Sequence, residues 1–166
     1  MLLARKISRA KWDNGNISAL SLPNEIKADA ITLCIKTNKN ELSVWECDSD
    51  NALLAIASTS ENLAATDIVM ISKDDLQRSG IKLSKTLGNT PIEELKENHY
   101  DLTELNFEKL GIIASNIIKA IINNNVRRYS IRDIATLINK AINEKKLDPT
   151  KLKEKLRSDV VKFSAT

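Results

Sequence analysis

The chain holds a single histidine, His99, and the stretch KENHYDLTELN around it gathers the residue types that acid–base chemistry uses. A carboxylate that orients an imidazole lets it serve as a general base, and Asp101, Glu97 and Glu94 all lie close along the chain. His99 and Asp101 are therefore the candidate catalytic residues, of a hydrolase or a transferase. One histidine excludes a two-histidine acid–base mechanism and the usual histidine-rich zinc site. The competing reading is structural: His99-Tyr100-Asp101 forms a turn, Tyr100 packs beneath a helix, and the polar groups satisfy loose backbone donors.

Other chemistry finds less material. The pairs Asp48/Asp50 and Asp74/Asp75 have the oxygen ligands that magnesium takes, but both fall where helix N-termini favour negative charge, which explains them without a metal. Four glycines in the whole chain, none in a GxGxxG or GxxxxGK[ST] pattern, exclude a Rossmann or Walker phosphate cradle. There is no GxSxG elbow, and Cys34 and Cys47 form neither a disulfide framework nor a zinc signature. No metal and no cofactor is expected.

Charge is uneven. The net value is +3, yet residues 1–12 carry Arg5, Lys6, Arg9 and Lys11 with no acid. Residues 140–162 hold 8 bases against 4 acids, which leaves 13 bases against 18 acids in the body of the chain. Basic ends on an acidic body point to a charged partner or to self-complementary packing. Arg127, Arg128, Lys151, Lys153, Lys155 and Arg157 are the candidate nucleic-acid contacts, in a region that superficially resembles the first helix of a helix-turn-helix. The helix after Ser130 runs too long for that motif, and Glu154 and Asp159 interrupt the lysines as on a solvated face. Trp12 and Trp45 are the candidate partner-binding anchors, each with a core alternative.

The elements that would position these residues follow from periodicity. ITLCIKTNKNELSVWEC alternates about an Asn-Lys-Asn turn and predicts a β-hairpin over about 31–47, with Trp45 opposite its aliphatic face. The segment around Trp12 reads as an arm or an edge strand. Asp48–Ser60 reads as a helix, Asp67–Ile71 as a strand, Ser72-x-x-Asp75 as a short helix start, and 81–86 as a further strand. Thr90-Pro91 opens about two helical turns, ending at the His99 segment. Phe107, Leu110, Ala114, Ile117, Ile118 and Ile121 form the buried stripe of a long central helix, with Asn106 or Thr103 as its cap. Ser130-x-x-Asp133 starts the next helix, and Asp148-Pro149 opens a last one that buries Leu152 and Leu156.

The expected fold is α+β within one domain, 1–166. An α+β part, 1–88, carries a small sheet with the hairpin and further short strands; a helical part, 89–166, ends in a unit of three helices. The apolar run in MLLARKISRAKW is too short for a secretory signal and no stretch spans a membrane, so the expected setting is cytoplasmic, without membrane association. The leading functional expectation is a non-enzymatic binding or accessory protein that works through protein–protein contacts, with a protein partner, as a subunit of a larger assembly or as a homo-oligomer. Nucleic-acid binding through the basic terminal segments is the alternative, and a hydrolase or transferase centred on His99 the third.

Overall fold

The structure, a computed structural model, describes residues 1–12 and 26–164. In chain order the elements are β1 (Leu2–Ile7), α1 (Arg9–Trp12), α2 (Ala28–Cys34), β2 (Leu42–Trp45), α3 (Ser49–Ala57), β3 (Thr66–Ser72), α4 (Lys73–Arg78) and β4 (Lys82–Lys85). There follow α5 (Glu93–Lys96), β5 (His99–Thr103), α6 (Phe107–Ile122), β6 (Val126–Tyr129), α7 (Ile131–Asn143) and α8 (Glu154–Ser164). The fold is α+β. Six strands form one sheet in the order β4-β5-β2-β1-β3-β6, with every neighbouring pair antiparallel.

Side chains alternate across a strand, so each strand feeds two layers. Leu3, Leu42, Val44, Val69, Ile71 and Leu102 face α2, α4 and α6. Ala4, Trp45, Ile68 and Tyr129 face α3, α7 and α8. Helix starts follow their capping residues: Asp48, Ser72 and Asn106 each accept a backbone N–H, and Ser130 with Asp133 completes a capping box. Among the described residues no helix is long and apolar enough to cross a membrane.

Four expectations are corrected. The hairpin over 31–47 is absent, because Ala28–Cys34 is the helix α2. The run ITLCI satisfies period two and period four at once, and the four-residue pairs Ala30/Cys34 and Ile31/Ile35 prevail because they pack on the core side. Thr32 Oγ1 donates back to the Ala28 carbonyl at 3.0 Å, as a helical hydroxyl does. The turn and the second strand of that hairpin survive, the turn as a bridge between Asn38 and Glu41 with Lys39 and Asn40 both left-handed, at φ 53° and 62°, and the strand as β2, which pairs with β1 and β5 instead.

The N-terminal segment is neither an arm nor an edge strand, since β1 lies between β2 and β3 at the middle of the sheet. His99-Tyr100-Asp101 is not a turn; it begins β5, which pairs with β2 and β4. β5 and β6 complete the sheet from beyond residue 88, so the chain does not divide there into a sheet part and a helical part. The last three helices exist, but β6 intervenes after α6, and α6 covers the face opposite to α7 and α8. Smaller shifts fall at two helix starts. α5 begins at Glu93 rather than after Thr90, and Pro149–Lys151 is a 3-10 turn that precedes α8.

Candidate functional site

β5 holds His99 and Asp101 two residues apart, on the same face of the strand. The loop after β4 supplies Thr86 between them. Thr86 Oγ1 lies 2.7 Å from His99 Nδ1 and 2.9 Å from Asp101 Oδ2. A carboxylate only accepts, so the threonine proton points to Asp101, and Nδ1–H of His99 donates to the hydroxyl oxygen. Ser43 Oγ, on β2 opposite Asp101, donates to its other oxygen at 3.0 Å. The order is thus histidine, hydroxyl, carboxylate. In a hydrolytic triad the histidine stands between the other two, so this arrangement does not set His99 to withdraw the threonine proton.

His99 is 7% exposed. Its ring meets Trp45 edge-on, with centroids 4.9 Å apart and planes at 70°. Gly88 closes over both: a Cβ there would stand 2.7 Å from Trp45 Cζ3 and 3.0 Å from His99 Cβ. Burial holds the imidazole below its ordinary 6.5, while the charge of Asp101 acts upward more weakly. The structure joins the two candidate catalytic residues through a threonine that sequence reasoning did not include, in a packed setting beneath Trp45 and Gly88.

The six basic candidates do not form one patch. Arg127 pairs with Asp50 at 2.9 Å and lies over the Tyr129 ring, 4.6 Å from its centroid. Its neighbour Arg128 pairs with the buried Asp67 at 3.3 Å, and its side chain takes the opposite face of β6. Tyr129 donates to Asp50, and burial followed by that carboxylate raises the phenol to about 12. Lys151 lies 4.0 Å from Glu93, and Lys153 pairs with Glu61. Of the six, Lys155 and Arg157 make no ion pair among the described residues.

Both tryptophans are core, which corrects their reading as surface anchors. Trp12 is 2% exposed and Trp45 6%. Among the described residues the most exposed aromatic is Phe107, at 94% against 46% for Phe163, although its spacing places it in the same stripe as Leu110, Ala114, Ile117 and Ile121. It is the first residue of α6, directly after the Asn106 cap, where the helix has only begun to enter the layer. The pattern identified the stripe but not where its cover starts.

A second polar site lies where the sheet opens. β1 meets β2 at the single pair Ala4↔Trp45, after which β1 follows β3 as far as Ile7↔Asp67 and β2 follows β5 as far as Leu42↔Leu102. The Arg5 side chain enters the resulting slot. Its Nε donates to the Cys34 carbonyl at 2.9 Å and Nη1 to the Ser43 carbonyl. Burial lowers the guanidinium pKa to about 10, against a weaker upward influence of Cys34, and the group stays charged at neutral pH. The slot encloses a cleft of about 360 Å³ that also meets Lys6, Lys11, Leu33, Trp45 and Ile56. The four bases in the first twelve residues were the signal for this site in the sequence, legible as charge and not as geometry.

Among the described residues no group of three or more His, Cys, Asp or Glu side chains is placed to hold a metal ion. No family model, no curated protein and no solved structure matches the chain.

Proposed function

We propose that the chain is a non-enzymatic accessory protein of the cytoplasm that acts by binding another protein, as a subunit of an assembly or with a second copy, and that Phe107 anchors the contact. The observation that carries this is the 94% exposure of a phenylalanine whose position belongs to a core stripe. Burying such a side chain is worth roughly 1.5–3 kcal/mol, and aromatic anchors dominate protein interfaces. The neighbouring surface fits a side-chain contact. Among the described residues β4 borders the sheet with one side unpaired, and its Lys82 and Lys85 are the residue type that keeps an edge from adding a foreign strand. Lys82 lies opposite Thr103 and pairs with Glu104 at 2.7 Å, so this edge ends near the start of α6.

The test compares wild type with Phe107→Ser by light scattering after gel filtration and by affinity capture. The variant is expected to melt with the wild type, because the ring touches little of its own fold, and to lose the oligomer or the captured protein. A monomeric wild type whose captured proteins are unchanged in Phe107→Ser overturns the assignment.

A further inference from the structure

We propose that the slot between β1 and β2 binds a small organic anion, its carboxylate or phosphate head on Arg5 and its apolar body against Leu33, Trp45 and Ile56. This site is independent of the contact assigned to Phe107. A guanidinium has five N–H donors in a planar fork, and the two main-chain carbonyls use two of them. Those bonds fix the fork without neutralising it. Among the described residues no carboxylate pairs with Arg5 or lines the cleft; Lys11 is shared with Asp29 at 3.4 Å, and Asp101 is held behind Ser43 at 3.0 Å.

A half-buried cation without a counter-charge is costly, and an anion entering the cleft removes that cost. Lys6 adds a second positive charge at the rim. Beyond Ser8, Lys11, Cys34 and Ser43 the wall is aliphatic and aromatic, which gains from an apolar body that inorganic phosphate lacks. A cleft of about 360 Å³ stands near the lower end of the roughly 300–1,000 Å³ typical of small-molecule sites. The ligand class is therefore compact, with one anionic head and a few carbons. A guanidinium already positioned by the backbone loses little freedom on binding, which favours recognition of a planar head.

The test measures binding of hexanoate, hexyl phosphate and neutral hexanamide to the full chain by titration calorimetry, with ionic strength held constant by chloride. At least one of the two anions is expected to bind, with hexanamide at least tenfold weaker. Leu33→Glu places a carboxylate at the mouth, at a residue 60% exposed, and is expected to fold normally and lose at least tenfold in affinity. Arg5→Met is expected to abolish binding; should it fail to fold, Leu33→Glu decides the matter. The proposal is overturned if neither anion binds the wild type at millimolar concentration, if hexanamide binds equally well, or if Leu33→Glu binds the anions like the wild type.

Discussion

His99 and Arg5 are both polar side chains set into the same sheet, and their surroundings treat them oppositely. Around His99 the hydrogen bonds run between side chains: Thr86 accepts from Nδ1, Asp101 accepts from Thr86 and Ser43, while Trp45 packs edge-on against the ring and Gly88 closes over both residues. Around Arg5 the partners are two backbone carbonyls, no carboxylate among the described residues compensates the charge, and a cleft adjoins it. The first arrangement consumes its own hydrogen-bonding capacity, as a stabilising network does. The second keeps donors and charge in reserve, as a binding site does. The residue that sequence chemistry singles out is the enclosed one.

The largest effect that separates the two regions belongs to Trp45, which contacts His99 on one side and lines the slot on the other. Trp45→Ala is expected to lower stability by about 3–5 kcal/mol, in the range of buried aromatic truncations, as read by urea unfolding. A surface anchor would leave stability within about 0.5 kcal/mol, so the size of the loss discriminates between core and interface. The same measurement sharpens the role of Gly88. Gly88→Ala is expected to destabilise the wild type and to cost much less in the Trp45→Ala background, where the ring that its Cβ would strike is gone.

A smaller loss is expected at Thr86. Thr86→Val preserves shape and leaves the His99 N–H without an acceptor and Asp101 short of a donor, at roughly 1–3 kcal/mol. Thr86→Ser, which keeps the hydroxyl, is expected to recover most of that. Affinity for hexanoate should not change in either variant, because the network and the slot share no charged group. A Thr86→Val protein as stable as the wild type would show that the network is incidental, and the contrast with Arg5 would fail.

The sequence carried the parts of this picture that depend on local chemistry. Asp48, Ser72 and Ser130 marked their helix starts, and Asn106 was one of two caps offered with Thr103, because a cap is a short-range hydrogen bond that needs no tertiary partner. The class α+β followed from mixed periodicities. What depended on packing was not legible. The run ITLCI, most of which lies in α2, matches two periods, and only the layer it meets selects one. Trp45 was placed correctly on the strand face opposite Leu42 and Val44, yet its cover, α3, depends on the whole topology. Thr86 and Asp101 are 15 residues apart, and Arg5 and Ser43 are 38 apart, so neither site has a contiguous motif.

The smallest effect is the pH dependence contributed by His99, and its sign tests which force dominates in the enclosed site. Burial depresses the folded-state pKa below the ordinary 6.5. As pH falls, the unfolded chain then takes up this proton before the folded one does, so the contribution is fully present above about pH 6.5 and is lost as pH falls toward the lower folded-state value. The carboxylates act in a separate window. Burial works to raise Glu46, hydrogen bonds from Lys73 and Tyr100 and the lysine charge outweigh it, and the group lies below its ordinary 4.5. Its contribution is lost only below about that pH, as is that of Asp133, which its bonds to Ser130 hold below 3.8. Thermal midpoints between pH 7 and pH 5 therefore isolate the histidine. The wild-type midpoint is expected to decline over that interval, while His99→Asn, which keeps a donor for Thr86 but does not titrate, starts lower and declines less. A wild-type midpoint that rises toward pH 5 would mean that Asp101 outweighs burial and holds an imidazolium; the enclosed region would then store charge just as the slot does.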